Sequence, residues 1–202
     1  MRYAALFATV TFLAGLAPPA LAQGNVFTWS MPADIRSMDP HASATAIAET
    51  LAGAVYEGLV RETADDRIEP SLAVSWEQTA PTRMRFRLRP GVTFQEGQPF
   101  GADDVVWSIR RAKSETSDYR GLIANIAGAE RVDDLTVDVI TTNPDPLLLR
   151  SLRGVRIVSR RWAEENGAVA PSAPNQPPNF AVTRANGTGP FRLVRREADT
   201  VT

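Results

Sequence analysis

The sequence contains no cysteine and a single histidine, His41. The lack of cysteine excludes disulfides, thiolate metal sites and a cysteine nucleophile. A lone histidine without cysteine does not supply the ligands of a nitrogen–sulfur metal site, so no metal or other cofactor is expected. The net charge of −1 gives no electrostatic attraction for nucleic acid, and no nucleic-acid partner is expected either.

Catalytic patterns are also scarce. A Ser–His–Asp triad would have to use His41, but the sequence has no Gly-x-Ser-x-Gly elbow, and nearby Asp39 is explained as a turn residue. The paired carboxylates fall in turns or in the first turn of a helix rather than across a pocket: Asp65-Asp66, Asp103-Asp104 and Asp133-Asp134. These patterns predict a protein that is not an enzyme.

Residues 1–22 have the pattern of a secretory signal peptide. Arg2 is followed by an apolar run over residues 4–16, and Ala20-Leu21-Ala22 is a small-x-small cleavage site. The apolar run is too short for a membrane span, which needs about 20 residues. No cysteine follows the cleavage site to carry a lipid anchor. We therefore expect a mature protein, beginning at Gln23, that is free in a periplasm.

The stretch from Arg83 to Lys113 has the clearest pattern in the chain. From Arg83 to Arg89, arginines alternate with apolar side chains, and this period of two is typical of a half-buried antiparallel strand. Turns follow at Pro90-Gly91 and at residues 96–99. The apolar spacing then becomes helical from Ala102 onward. The pattern predicts a strand, a loop and a helix in a mixed α+β domain.

The same stretch resembles a motif of the family 5 solute-binding proteins of ABC importers, the dipeptide and oligopeptide receptors. The matching residues are Phe86, Leu88, Arg89, Gly91, Val92, Phe94, Gly97, Pro99, Phe100, Ala102, Asp104, Val105, Trp107 and Ser108. Two positions depart, since Glu96 replaces the usual Asp and Gly101 replaces the Thr or Ser that caps the helix. Further family motifs match at Asp39-Pro40-His41, Tyr56–Leu59, Pro70–Glu77 and Asn186–Phe191, so the resemblance covers nearly all of the chain after residue 22.

Local patterns predict the remaining elements. A helix is predicted from Ala44 to about Glu57, capped by Ser43 and stopped at Gly58, and two more short helices are opened by Asp145-Pro146 and capped by Ser159. One hairpin joins Leu72–Gln78 to the arginine strand, and a second, over Ile126–Val139, turns at Asp133-Asp134. Further strands are predicted at Val155–Val158 and from Asn186–Phe191 onward, and Ala170–Pro178 is an irregular, proline-rich segment. Gly167 is expected to end the helix that Ser159 caps.

The resemblance implies a periplasmic binding protein-like type II fold, α/β with mixed α+β character, of which this chain holds only a part. Lobe one would comprise residues 23–59 and 179–202, interrupted by a small inserted α+β domain at residues 60–178. The receptors of this family are much longer, and their second lobe would follow Thr202.

The resemblance also implies three residues of a ligand site. The peptide receptors place a tyrosine over the ligand backbone where this chain has Tyr119, in the polar loop after the second predicted helix. Residues shortly after the family's histidine line the ligand cleft, and equal spacing from His41 gives Ala44 and Ala46. These alanines offer space and backbone but no charge. Tyr119 fits a packing role equally well, because its side chain is amphipathic.

The function implied by the resemblance is that of a monomeric periplasmic receptor. It would capture a small solute, such as a di- or oligopeptide, and deliver it unchanged to ABC permease subunits in the inner membrane. Two alternatives stay open: a secreted hydrolase whose catalytic residues lie beyond Thr202, and a fragment that only packs against another chain.

Overall fold

The computed structural model describes residues 35–173, 175–197 and 200–201, all within one compact unit, Met31–Thr202. The elements are α1 (Ala46–Val55), β1 (Val60–Glu62), β2 (Ile68–Pro70), β3 (Ala73–Ala80), β4 (Arg83–Leu88), α2 (Ala102–Ala112), β5 (Ile126–Asp133), β6 (Thr136–Thr141), α3 (Leu148–Leu152), α4 (Arg160–Glu165), a 3-10 turn (Phe180–Val182), β7 (Arg196–Glu197) and β8 (Thr200–Val201). The predicted signal peptide lies outside the described residues. So does a short strand that the apolar residues Val26, Phe27 and Trp29 predict over Asn25–Trp29. Within the described ranges, no helix is long and apolar enough to cross a membrane.

The centre of the fold is a four-stranded antiparallel sheet with the order β3-β4-β6-β5. Both predicted hairpins are confirmed, β3 with β4 and β5 with β6. They join because β4 pairs with β6, which places Phe86 opposite Val137. Both side chains are fully buried in the main apolar core, so the alternation seen in the arginine strand does separate a core face from an arginine face.

Helix α2 packs its apolar face on this sheet. The buried residues predicted for that face, Ala102, Val105, Ile109 and Ala112, belong to the same core as Phe86. Burial extends further around the helix than predicted and includes Trp107, Ser108 and Arg111, because α2 also contacts α4. The first turn lacks a capping hydroxyl at Gly101, and the Asp104 carboxylate instead accepts the Gly101 N–H at 3.0 Å.

The predicted start and stop of α1 are wrong. Thr45 rather than Ser43 is the N-cap, and its hydroxyl accepts the Ala48 N–H at 3.4 Å. The helix ends at Val55, and Gly58 does not have the positive φ of a glycine stop. The predicted start failed because Ser43 and Thr45 are both good caps, and the sequence pattern does not rank them.

The last carbonyls of α1 are covered by the Gly-Thr-Gly-Pro motif. The N–H groups of Gly189 and Phe191 donate to the carbonyls of Val55 and Ala54, at 2.9 and 3.0 Å. A Cβ atom on Gly187 would lie 2.0 Å from the Val55 carbonyl oxygen. The motif is therefore required for a close approach to the end of α1, which only glycine permits.

Other boundaries were predicted with mixed success. Ser159 caps α4 and Gly167, with φ of 64°, follows its end, as predicted. The strand predicted at Val155–Val158 is wrong, because those residues have no regular secondary structure and join none of the sheets. The structured part of α3 begins at Leu148, two residues later than predicted, and the strand expected directly at Asn186–Phe191 begins only at β7. The β1–β2 hairpin was not predicted.

Candidate functional site

The three predicted site residues meet at the first half of α1. Ala46 is exposed in the first turn, and Ala44 is half-buried against the main core just before it. The Tyr119 hydroxyl donates to Glu49 Oε1 of the same helix at 3.4 Å. All three thus adjoin the first half of α1, and their contact with a ligand stays a prediction.

Tyr119 itself is packed inside the described unit, with 2% of its surface exposed. Its ring stands edge-on to His41, with centroids 6.0 Å apart, and lies so close to Gly154 that a Cβ there would be 3.1 Å from Tyr119 Cε1. Burial, together with the charge of Glu49, raises the pKa of the Tyr119 phenol. The phenol is therefore a neutral hydrogen-bond donor at neutral pH, held in place by its neighbours.

A groove of about 730 Å³ lies beside the start of α1. Its walls come from the segment before α1, from the helix itself and from the proline-rich segment: Ile35, Arg36, Ser37, Ala42, Ser43, Thr45, Ile47, Ala48, Asp118, Ser172, Ala173, Gln176, Pro178 and Val182. Small and apolar side chains dominate this surface, and its charged groups are Arg36 and Asp118. A volume of this size is within the range of small-molecule sites.

Arg156, which sequence reasoning missed, places a guanidinium near the same helix. Its Nε is shielded from solvent and finds no hydrogen-bond partner in the described part of the chain. No carboxylate among the described residues comes within ion-pairing distance of it. Burial lowers the pKa of Arg156. A Cβ on Gly53 of α1 would be 3.2 Å from Arg156 Nη2, so this guanidinium lies directly against the helix.

Below α1, a buried polar network joins the Asp-Pro-His turn to α2. Arg111 donates to both carboxylate oxygens of Asp39, at 2.7 and 2.5 Å, and its Nε donates to the Ala168 carbonyl at 3.1 Å. The Asp39 carboxylate also accepts the His41 N–H at 3.0 Å, as an aspartate in a turn is expected to do. Asp39 was predicted to be a turn residue, and it is also one half of a buried ion pair.

His41 is neutral in this network. Its Nε2 lies 2.9 Å from the Arg156 carbonyl oxygen and donates to it, which leaves Nδ1 to accept from Arg111 Nη1 at 3.1 Å. Burial, helped by the charge of Arg111, lowers the pKa of His41 to about 3. Burial alone would raise the pKa of Asp39, but the hydrogen bonds and charge of Arg111 outweigh it, and the pKa is lowered. Asp39, His41 and Arg111 are all buried and hydrogen-bonded, and none of them lines the 730 Å³ groove.

The two glycine-containing family motifs contact each other. In the 94–99 turn, the Glu96 N–H donates to Asn186 Oδ1 at 3.0 Å, and Asn186 Nδ2 donates to Gln98 Oε1 at 2.9 Å. The Glu96 carboxylate, where the family has Asp, accepts from Trp162 Nε1 at 3.2 Å. These contacts give the motifs a structural role, because they hold the 94–99 turn against Asn186 and Trp162. Within the described residues, no cluster of three or more histidine, aspartate or glutamate side chains could hold a metal.

Residues 67–202 match the family model of the bacterial extracellular solute-binding proteins, family 5 Middle. MoaA of A. tumefaciens R10, solved with mannopinic acid, is 32% identical with a TM-score of 0.70, over 81% of this chain and 33% of MoaA. DppA of Helicobacter pylori, solved with the peptide STSA, is 26% identical with a TM-score of 0.64, over 80% of this chain and 35% of DppA.

A curated relative, the HTH-type transcriptional regulator SgrR of Shigella dysenteriae serotype 1, is 30% identical over 153 residues, 74% of this chain and 24% of SgrR. The chain thus spans about a quarter of the length of these regulators and a third of the solved binding proteins. The structural likenesses confirm the predicted periplasmic binding protein-like type II fold, of which this chain holds one part. The chain belongs to the bacterial extracellular solute-binding proteins, family 5.

Proposed function

We propose that this chain is the N-terminal part of the substrate-binding component of an ABC importer, acting in the periplasm on a small solute such as a di- or oligopeptide. The observation that carries the proposal is the family match over residues 67–202. The ligands bound by MoaA and DppA, mannopinic acid and the peptide STSA, support a small organic ligand. The solute is bound and released unchanged, and closure of the receptor around it presents a distinct shape to the permease subunits.

In this proposal the first half of α1 forms part of the ligand cleft. Ala46 is exposed there and Ala44 lies just before it, so short side chains leave room for a ligand beside the helix. Tyr119 reaches Glu49 one turn further on. The receptor acts as a monomer, and no part of its function requires nucleic acid.

A thermal-shift screen against peptides, glycans and chelated nickel tests this proposal. A solute that binds the folded state alone stabilises it by RT ln(1 + [L]/Kd), so its melting temperature rises with ligand concentration. Ala46→Phe should reduce the shift, and Ala127→Phe, at an exposed position of the edge strand β5, is the matched control. Mass spectrometry of the ligand afterwards should show no product. Turnover would instead support the secreted hydrolase.

A second candidate, a solute-sensing domain of a regulator, is favoured by the name of the SgrR relatives. The two functions require opposite locations, because a receptor for an importer works outside the cytoplasm and a DNA-binding regulator works inside it. Residues 1–22 fused to a reporter that is active only after export distinguish them. We expect export and cleavage after Ala22, and retention in the cytoplasm would favour the regulator.

A further inference from the structure

Asn-Gly occurs twice in the sequence, at Asn166-Gly167 and at Asn186-Gly187. Asparagine is one of the thermolabile residues, and it reacts most readily when a glycine follows it, because glycine has no side chain to obstruct its own backbone nitrogen. That nitrogen attacks Cγ of the asparagine and closes a succinimide ring. The two atoms must approach each other in an aligned geometry, so the surroundings of each asparagine decide how fast it reacts.

The surroundings of Asn186 oppose this approach. Its side chain is fully buried, and both ends of its amide are held: Oδ1 accepts the Glu96 N–H at 3.0 Å, and Nδ2 donates to Gln98 Oε1 at 2.9 Å. Gly187 is packed so closely that a Cβ there would lie 2.0 Å from the Val55 carbonyl oxygen. Asn186 Cγ therefore reaches the Gly187 nitrogen only if this packed region opens.

The surroundings of Asn166 favour the approach. Asn166 is half-buried at the C-terminal end of α4, a helix of six residues, and Gly167 after it is exposed with φ of 64°. The Asn166 N–H and Nδ2 both donate to the Trp162 carbonyl, at 3.1 and 2.8 Å. The Gly167 N–H donates to no group in the described part of the chain. Because both bonds share one acceptor and helix ends fray, opening of the last turn frees the asparagine side chain beside an available glycine nitrogen.

We propose that Asn166 is a site of spontaneous deamidation in the folded protein and that Asn186 is protected from it. The Gly167 nitrogen forms a bond to Asn166 Cγ, the Cγ–Nδ2 bond breaks, and ammonia leaves with the proton that the Gly167 nitrogen loses. Water then opens the ring. Its addition at Cγ gives aspartate, and its addition at the main-chain carbonyl gives isoaspartate, whose backbone is one carbon longer. The reaction requires no ligand and is therefore independent of the proposed function.

The modification acts on the buried polar network through Ala168, which is fully buried two residues later. The Ala168 N–H donates to the Ala163 carbonyl at 2.8 Å, and its own carbonyl accepts from Arg111 Nε at 3.1 Å. An added backbone carbon at residue 166 displaces the Ala168 carbonyl, and a buried donor that loses its acceptor destabilises the folded state. The aspartate product keeps the backbone length but places a negative charge at a helix C-terminus, where the helix dipole opposes it.

Ageing of the purified chain in neutral buffer tests the proposal. Trypsin cleaves after arginine and places the two asparagines in separate peptides, residues 162–184 and 185–192, so mass spectrometry measures both conversions in one digest. In the folded chain we expect Asn166 to convert at least tenfold faster than Asn186. In urea we expect similar rates, because both asparagines lose their surroundings. Equal rates in the folded chain, or no conversion at Asn166, would overturn the proposal.

Substitution tests the link to the buried network. Enzymatic methylation that is specific for isoaspartate measures the modified fraction, and the melting temperature should fall as that fraction grows. Asn166→Gln should remove this decline, because glutamine would have to form a larger ring. Asn175→Gln is the matched control in the same tryptic peptide and should keep the decline. By NMR, the Arg111 Nε–Hε resonance should shift in the isoaspartate form, and a resonance and melting temperature that do not change with isoaspartate content would overturn the link through Ala168.

Discussion

The molecule contains two arginine–aspartate clusters that use the same groups in different surroundings. On the open face of the sheet, Asp138 accepts from Arg83 at 3.0 Å and from Arg85 at 2.8 Å, and the two arginine side chains are 35% and 33% exposed. Beneath α1, Asp39 accepts from Arg111, and these side chains are 0% and 2% exposed. Both aspartates have a lowered pKa, so both clusters hold the carboxylate in its charged form.

The difference between them lies in what remains when one partner is removed. About a third of each arginine side chain on the sheet is exposed, so water can solvate them if Asp138 is lost. Arg111 has no such access, so losing Asp39 leaves a charge in the interior. Similar hydrogen-bond geometry therefore does not imply a similar contribution to stability.

Asp39→Asn should cause the largest effect. We expect a loss of about 3–5 kcal/mol in the free energy of unfolding, because one partner of a buried ion pair is neutralised and the other stays charged. Urea denaturation followed by circular dichroism measures it. The double variant Asp39→Leu/Arg111→Met should recover much of the loss, since it removes both charges. A loss no larger than that of Asp138→Asn would refute the comparison.

Lowering the pH should cause the second-largest loss of stability, through His41 in the buried cluster. The folded pKa of His41 is about 3, far below its ordinary 6.5. Between these values the unfolded chain binds a proton that the folded chain does not, so stability falls as the pH drops from 6.5 toward 3. Between pH 7 and pH 5 this contribution is about 2 kcal/mol. Urea titrations at both pH values measure the free energy of unfolding, which should change less with pH in His41→Gln than in the wild type. An equal change in both proteins would contradict the lowered pKa of His41.

Asp138→Asn should produce a smaller loss, less than half of that for Asp39→Asn. The amide can still accept from Arg83 or Arg85, and the exposed part of both arginines remains hydrated. Raising the salt concentration should reduce the difference from wild type, because screening acts on the partly exposed arginines. Denaturation at low and high salt checks this. A loss that does not depend on salt would mean that the Asp138 cluster behaves like the buried Asp39 cluster.

Glu165→Gln should leave stability unchanged within error. Its pairing with Arg161 on α4 is an i,i+4 contact at 2.8 Å between side chains that are mostly solvated. The entropy lost in holding two long side chains nearly cancels such an attraction in water. A thermal melt of this variant shows the effect of losing a fully solvated ion pair. A measurable drop in the melting temperature would mean that solvent exposure does not determine how much each ion pair contributes to stability.

The local parts of this molecule could be predicted and the long-range parts could not. The period of two in Arg83–Leu88 identified β4, and helical spacing identified α2. The pairing of β4 with β6, which brings Asp138 to two arginines, has no local pattern. Arg111 falls among polar residues on α2 and has the sequence features of a surface residue, yet it binds Asp39, 72 residues earlier in the chain.

The candidate site shows the same limit. The family resemblance pointed to Ala44, Ala46 and Tyr119, and all three adjoin the first half of α1. Arg156 gave no signal, because an arginine between two apolar residues is also typical of an edge strand. That no carboxylate of the described residues pairs with it is visible only once those carboxylates have been placed.

The contact between the end of α1 and the Gly-Thr-Gly-Pro motif constrains how the protein is made. The amides that cover the last carbonyls of α1 belong to Gly189 and Phe191, more than 130 residues later in the chain. During synthesis, α1 therefore leaves the ribosome long before the groups that complete its end. Contacts of such high sequence separation form slowly, so the nascent chain must wait in an incomplete state whose exposed surfaces a chaperone could shield.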